Sequence, residues 1–243
     1  MIDQFDQESR GNIRKLGEDR EAHALSQKWI ANVLRHKYSH HFKWLGRPII
    51  QFPQDIVAIQ EIIWEVKPDL IIETGIARGG SLIFLASMLE LLGGSGHVVG
   101  VDVDIREHNR IEIERHPLFR RITMIEGSSI DPKVFRRVQS TVAAQSRVMV
   151  ILDSNHTHEH VTTELETYAS LVTKGSYLVV LDTVIEDLPE DFFPDRPWGK
   201  GNNPKTAVWQ FLGKTDRFVI DEELNHKLLI TVAPDGYLRC VKN

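Results

Sequence analysis

Several features that are scarce or missing narrow the class of this protein. Its 243 residues include one cysteine, which cannot build a disulfide framework and is typical of a reducing compartment. The 29 lysines and arginines are outnumbered by 34 aspartates and glutamates, whereas nonspecific nucleic-acid binders are usually basic. A run of about 18 apolar residues is missing, and so is the residue order of a signal peptide. We therefore expect a cytoplasmic protein that binds neither nucleic acid nor membrane.

The pattern of hydrophobic residues predicts an α/β fold. Short apolar runs, typical of strands buried on both faces, alternate with amphipathic runs typical of helices. Five strand–helix units in a row predict a doubly wound, Rossmann-like, mostly parallel sheet. The predicted strands are 70–72, 98–101, 122–125, 148–152 and 177–181, and the predicted helices between them are 80–92, 106–115, 132–143 and 158–173.

The two ends of the chain depart from this alternation. Residues 1–50 are predicted to form an N-terminal helical extension with one amphipathic helix near 19–38, and residues 51–243 the main domain. Residues 183–204 contain four prolines and no hydrophobic period, so we expect a long loop there, followed by a helix near 204–213. The apolar runs 228–232 and 237–241, joined by Pro-Asp-Gly, predict a C-terminal antiparallel hairpin.

A glycine-rich turn follows the first predicted strand. Between Glu73 and Ser81, Gly75 and Gly79 would let the backbone turn and approach a ligand at the start of a helix. The turn lacks the G-x-G-x-x-G pattern, because Ala77 occupies the middle position, and it lacks the lysine of a P-loop. An acid at position 73 would repel a pyrophosphate but attract a sulfonium or amino group. This charge argument favours S-adenosylmethionine over NAD.

Polar residues also follow the second and third predicted strands. Asp102 ends the second strand, where an acid can accept both ribose hydroxyls, and Ser128 and Ser129 after the third suit an adenine edge. Together with Glu73 they predict a nucleoside-type ligand. The full set of predicted cofactor-binding residues is Glu73, Gly75, Ala77, Gly79, Ser81, Asp102, Ser128, Ser129 and Asp153.

Carboxylates end the fourth and fifth predicted strands. Asp153 and Asp182, with the hydroxyl of Thr183, are predicted to hold Mg²⁺, which prefers oxygen ligands and lowers the pKa of a bound hydroxyl. His156, just beyond Asp153, is the natural general base because imidazole titrates near neutrality. His156 and Asp153 are therefore the predicted catalytic residues. Two solvated acids without a ligand remain the alternative.

Other interpretations of these segments stay open. His156, His158 and His160 resemble part of the zinc loop of metallo-β-lactamase-like hydrolases, although the aspartate of that loop is missing. An NAD-dependent sugar-modifying enzyme and a non-catalytic binding module on the same scaffold are two further alternatives. In the long loop and just after it, Trp198, Asn203 and Lys205 are predicted to bind a sugar or polar metabolite, because they supply an aromatic face and polar groups.

Six segments carry a resemblance to a known family. They are Trp44-Leu-Gly-Arg-Pro48, Glu73-Thr-Gly-Ile-Ala-Arg-Gly-Gly-Ser81, Gly100-Val-Asp102, Leu152-Asp-Ser-Asn-His156, Gly175-Ser-Tyr-Leu-Val-Val-Leu-Asp182-Thr183 and Asp195-Arg-Pro-Trp-Gly-Lys-Gly-Asn-Asn-Pro-Lys-Thr206. In combination they resemble the cephalosporin hydroxylase (cephem-methoxylation) family, which also contains rhamnosyl and other sugar O-methyltransferases. The resemblance runs through roughly residues 44–213. It implies a class I S-adenosylmethionine-dependent methyltransferase, often with Mg²⁺, and a homo-oligomer.

The resemblance also implies roles for individual residues. By position, the cofactor would be held by Glu73, Gly75 and Asp102, and the metal by Asp153 and Asp182. The antibiotic-pathway member has adjacent Glu and Asp where this chain has Leu181 and Asp182, so one carboxylate is absent, and Glu186 and Asp187 could replace it. We expect methyl transfer from S-adenosylmethionine to a hydroxyl of a sugar or secondary metabolite, activated by His156 or by a cation.

Overall fold

The α/β fold predicted from the sequence is confirmed by a computed structural model, which describes residues 3–144 and 146–243. The described strands are β1 (Phe42–Trp44), β2 (Arg47–Ile49), β3 (Leu70–Thr74), β4 (His97–Asp102), β5 (Ile122–Glu126), β6 (Val148–Leu152), β7 (Tyr177–Val180), β8 (Phe218–Ile220) and β9 (Tyr237–Cys240). The helices are α1 (Gln4–Glu18), α2 (Arg20–Leu34), α3 (Pro53–Val66), α4 (Gly80–Leu92), α5 (Glu107–Glu114), α6 (Pro132–Gln139), α7 (His158–Tyr168), α8 (Pro204–Leu212) and α9 (Glu222–Leu228).

The main sheet has the strand order β5-β4-β3-β6-β7-β9-β8. β3 lies between β4 and β6 and is parallel to both, with Glu73 opposite Gly100 on one side and Ile151 on the other. The chain order reverses between β3 and β6, and in such sheets ligands bind in the crevice outside the carboxyl ends of the strands at this point. The predicted site residues at the ends of these strands therefore come to one edge.

Helices cover both faces of the sheet. One apolar cluster packs α3 and α4 on the first face, and a second packs α6, α7 and α8 on the other. All residues of β3 and β6 are buried, which explains why these strands are continuously apolar in the sequence. In the part of the chain that the structure describes, no helix combines the length and apolarity that a membrane crossing requires.

The C-terminal hairpin predicted from residues 228–232 and 237–241 is wrong in its first strand. β9 pairs antiparallel with β7 and with β8, while residues 222–228 form α9. Asp221 caps this helix by accepting from the backbone N–H of Leu224, and acids in the first turn and basic residues in the last turn complement the helix dipole. Residues 229–232 follow this helix without forming a strand, and Thr231 and Val232 donate to the buried carboxylate of Asp55 on α3.

The N-terminal extension contains two helices where the sequence predicted one. α1 and α2 meet at Asp19, whose carboxylate caps α2 by accepting from the backbone N–H groups of Glu21 and Ala22. The extension continues into the β1–β2 pair, whose last residue, Ile49, is 1% exposed in the core. The predicted domain boundary at residue 50 falls between β2 and α3 and stays a prediction.

Candidate functional site

The glycine turn packs against the protein's own backbone. Gly75 has φ of +92°, and a β-carbon there would overlap the carbonyl of Asp153 at the end of β6. A β-carbon at Gly80 would overlap the carbonyl of Pro48, at the end of the β1–β2 pair. Gly79, with φ of +77°, packs on a side chain of α5. These glycines let neighbouring segments of the chain close around the turn, and Gly75 also lines a narrow crevice beside it, so their predicted contacts with the cofactor stay predictions.

Asp102 holds the glycine turn in place. Its Oδ2 accepts from the backbone N–H groups of Ile76 (2.8 Å) and Ala77 (3.1 Å). Ala77 has φ of +45°, an uncommon value for a residue with a side chain, and its carbonyl accepts from Asn109 Nδ2 (3.0 Å). Asp102 and Ala77 line a cleft of about 390 Å³ that also reaches Arg106. A carboxylate oxygen can accept more than one hydrogen bond, so Asp102 still fits a ribose hydroxyl.

Glu73 is fully buried beneath the turn. Its Oε2 accepts from the Ser81 hydroxyl (2.7 Å), and its Oε1 has no hydrogen-bond partner among the described residues. Burial, with a smaller contribution from the charge of Asp102, raises the pKa of Glu73 to about 8. The carboxyl is therefore mostly protonated at pH 7 without a nearby cation. The narrow crevice beside the glycine turn is lined by Ser81 but not by Glu73, which contacts Ser81 from the side away from the crevice. This corrects the expectation that Glu73 faces the ligand directly.

A candidate metal centre lies at the ends of β6 and β7. Asp153, His156 and Asp182 each offer a ligand atom, and these atoms lie within 4.8 Å of one another. His156 Nε2 is 3.2 Å from Asp182 Oδ2. Loss of solvation and the neighbouring carboxylates of Asp182 and Glu73 raise the pKa of Asp153 well above its usual value. A divalent cation would relieve this repulsion, so the donor set fits a metal ion.

The structure changes the predicted composition of this centre. Thr183 is fully buried and its hydroxyl donates to the carbonyl of Pro234 (2.7 Å), so its role as a metal ligand stays a prediction. Glu186 accepts from the backbone of Gly201 (2.8 Å), and Asp187 pairs with Lys205. Neither acid replaces the carboxylate missing at position 181. The third potential ligand is His156, which the sequence indicated only as a base.

The long loop brings an aromatic ring to the centre. The ring of Trp198 meets that of His156 edge to face, with centroids 4.9 Å apart, and the guanidinium of Arg196 lies 5.2 Å from the centre of the Trp198 ring. Trp198 thus restricts both the position of His156 and its access to water. Its predicted contact with substrate stays a prediction.

Two other residues that the sequence assigned to the substrate already have hydrogen-bond or ion-pair partners within the protein. Asn203 is fully buried and caps α8, while its Nδ2 donates to Glu186 Oε2 (2.5 Å). The Lys205 ammonium pairs with Asp187 (2.8 Å) and Asp235 (3.4 Å). Both side chains stabilise the base of the loop, which corrects their assignment to the substrate.

The histidines at 156, 158 and 160 do not share a site. His158 contacts the hydroxyl of Thr206 on α8 (2.8 Å), and His160 Nε2 contacts the hydroxyl of Ser129 (3.0 Å). The zinc-hydrolase alternative, which needed these imidazoles together, is therefore wrong. Ser129 is 4% exposed and Ser128 is half-buried, and their predicted adenine contacts stay predictions.

Sequence reasoning missed the residues that come from the N-terminal side. Pro48, Ile50 and Gln51 line a narrow crevice beside the glycine turn, opposite Ser81 and Asp153. The only signal for this was the Trp44–Pro48 segment of the family resemblance. A sequence pattern cannot show that a hairpin far from the turn folds over it.

Comparisons with known proteins identify the family of this chain. The sequence profile described as Rhamnosyl O-methyltransferase/CmcI matches residues 36–241. The rhamnosyl O-methyltransferase of Mycobacterium tuberculosis (strain ATCC 25618 / H37Rv) is 31% identical over 189 residues, which are 76% of this chain and 72% of that protein. The rhamnosyl O-methyltransferase of Mycobacterium leprae (strain TN) is 30% identical over 149 residues, 60% of this chain and 62% of that protein.

Solved structures share the fold at lower identity. The structure described as cmcI-D160 Mg-SAM has a TM-score of 0.58 at 19% identity and covers 84% of this chain and 78% of that one. The O-methyltransferase from Bacillus cereus in complex with SAH has a TM-score of 0.55 at 16% identity, with coverage of 89% and 90%. The profile match confirms the predicted enzyme class, and the NAD-dependent alternative gains no support. This chain belongs to the Rhamnosyl O-methyltransferase/CmcI family and is an S-adenosylmethionine-dependent O-methyltransferase.

Proposed function

We propose that this enzyme methylates a hydroxyl of a sugar or sugar-bearing metabolite with the help of a divalent cation, Mg²⁺. The observation that carries the proposal is the convergence of Asp153, His156 and Asp182 at the carboxyl edge of the sheet, beside the glycine turn. The relatives named as rhamnosyl O-methyltransferases support a sugar acceptor, and the solved structure described with Mg and SAM supports the cation.

The residues around the glycine turn fit the cofactor. Asp102 and Ala77 line the cleft of about 390 Å³, which has room for a nucleoside, and Asp153 lines the crevice beside it. Bound S-adenosylmethionine would supply the electrophilic methyl group. The chain has to position an acceptor oxygen in line with that methyl and to keep water out.

His156 is suited to take the proton of the acceptor hydroxyl. Its ring is held between the Asp182 carboxylate and the edge of Trp198, so its orientation is restrained on two sides. Asp153 and Asp182 would hold the cation, and a hydroxyl bound to it would lose its proton more readily. Mg²⁺ prefers oxygen ligands, which leaves the imidazole free to act as the base.

We further propose a homo-oligomer located in the cytoplasm. The family resemblance supports assembly. The single cysteine, Cys240, is a free and buried thiol, in keeping with a reducing compartment.

The test combines cofactor binding with turnover. Titration calorimetry with S-adenosylhomocysteine establishes the cofactor, and methyl transfer to rhamnosyl and other hydroxylated acceptors with added Mg²⁺ establishes the reaction. His156→Ala should lower turnover by roughly 10²- to 10⁴-fold and leave cofactor affinity unchanged, since it removes only the base. His158→Ala, whose ring contacts α8, is the matched control and should retain turnover. Cofactor binding without methylation of any sugar hydroxyl would refute the proposed acceptor class.

A further inference from the structure

Gln51 is a buried polar residue without an evident structural role. It lies between β2 and α3 and is 2% exposed. Its amide oxygen Oε1 has no hydrogen-bond partner among the described residues. A buried acceptor without a donor is unfavourable, and in native proteins such groups usually meet a ligand, an ion or an ordered water. Gln51 therefore needs a donor from outside the chain.

The surroundings of Gln51 define the size of that donor group. Gln51 lines a crevice of about 30 Å³ together with Gly75, Ser81 and Asp153. This volume holds one group of the size of a water molecule or an ammonium. The crevice shares Ile50, Ala77 and Arg78 with the cleft of about 390 Å³ at Asp102, so the two spaces adjoin. A ligand whose larger part fills the cleft can place a small polar group in the crevice, next to Gln51.

The Asp153 carboxylate at this end of the crevice favours a cationic group on the ligand. Asp153 lines the crevice, and Glu73 lies directly behind Ser81, to which it is hydrogen-bonded at 2.7 Å. The unpartnered Oε1 of Gln51 is an acceptor, and the Asp153 carboxylate supplies further acceptor oxygens. The end of the crevice therefore presents acceptors to the ligand, and an ammonium group supplies the N–H donors that they lack.

We propose that Gln51 accepts a hydrogen bond from the α-ammonium group of the cofactor's methionine moiety and so positions the cofactor along the crevice. The inference rests on the proposed function, since it requires S-adenosylmethionine in this site. An amide suits the position because it adds an acceptor without adding a further negative charge to the crevice that Asp153 lines. Gln51 is thus a positioning residue contributed by the N-terminal side of the chain.

The test compares two nucleosides that differ in the amino-acid part. S-adenosylhomocysteine carries the ammonium group, and 5′-methylthioadenosine lacks it. Gln51→Met keeps the length of the side chain and removes the acceptor, so affinity for S-adenosylhomocysteine should fall by roughly 10- to 100-fold, the usual loss for a hydrogen bond to a charged group. Affinity for 5′-methylthioadenosine, measured by the same calorimetry, should not change.

Two further variants keep the test decisive. Gln54→Met is the matched control, because Gln54 also has a buried, unpartnered Oε1 but lies outside the crevice lining, and it should leave both affinities unchanged. Gln51→Glu retains an acceptor oxygen and should retain the preference for S-adenosylhomocysteine over 5′-methylthioadenosine, which also covers the case in which Gln51→Met fails to fold.

The outcomes distinguish a failure of the role proposed for Gln51 from a failure of the proposed function. An equal loss for both nucleosides, or no loss for either, in folded Gln51→Met would overturn the role of Gln51, and so would loss of the preference in Gln51→Glu. A wild-type protein that binds S-adenosylhomocysteine in that same experiment leaves the proposed function standing. A wild-type protein that binds neither nucleoside overturns the proposed function and this inference together.

Discussion

Replacing Glu73 by glutamine should make the protein more stable at neutral pH and weaken its hold on the cofactor. The carboxyl is fully buried, and its pKa is raised from an ordinary value of 4.5 to about 8 by burial and, to a smaller extent, by Asp102. Glutamine has nearly the same shape and can still accept the hydrogen bond from Ser81. The substitution therefore removes the titration of this side chain and leaves its packing unchanged.

The size of the effect follows from this pKa shift. A group whose pKa is higher in the folded state contributes stability below its unfolded pKa, and that contribution is lost as the pH rises through the folded pKa. The shift spans about 3.5 pH units, so at about 1.4 kcal/mol per unit the full loss approaches about 5 kcal/mol above pH 8. At pH 7 the unfolded chain is ionised at this position while the folded protein is mostly protonated, and the loss is about 3 kcal/mol.

Urea unfolding at pH 5, 7 and 8 measures this prediction. The free energy of unfolding of the wild type should fall by about 3 kcal/mol more than that of Glu73→Gln between pH 5 and pH 8. S-adenosylmethionine should stabilise the wild type more than the variant, because only a carboxylate gains from a nearby cation. Parallel stability curves for the two proteins across this pH range would refute the reasoning.

Two further predictions concern the metal centre and the loop. EDTA should abolish most activity, and added Mg²⁺ or Mn²⁺ should restore it. Asp182→Asn should weaken metal binding, measured by calorimetry, at least tenfold. The control variant Asp195→Asn, in the exposed part of the loop, should not weaken it. Full activity in EDTA would show that the carboxylates act without a metal. Asn203→Ala removes the cap of α8 and a donor to Glu186, and should lower the free energy of unfolding by about 2 kcal/mol. An unchanged thermal midpoint would contradict this structural role for Asn203.

The C-terminal segment shows where local sequence patterns were insufficient to predict the structure. Residues 222–228 were outside any predicted helix, because seven residues are too few for a clear hydrophobic period, yet Asp221 supplies the cap and the helix forms. The run 228–232 is apolar because it packs against the core beside α3, where the backbone of Val232 and the hydroxyl of Thr231 donate to the buried carboxylate of Asp55. A segment that is buried by tertiary contacts outside any strand and a buried strand therefore show the same run of apolar residues in the sequence.

The order of apolar and amphipathic runs was enough to determine the parallel sheet and the edge at which Glu73, Asp102, Asp153 and Asp182 gather. This follows because parallel strands that are buried on both faces must end at one side of the sheet. Only the tertiary structure decided which side chains there remain available to a ligand. Thr183 and Asn203 turn inward, and Gln51 comes from the segment between β2 and α3, because side-chain direction depends on packing between segments that no local spacing encodes.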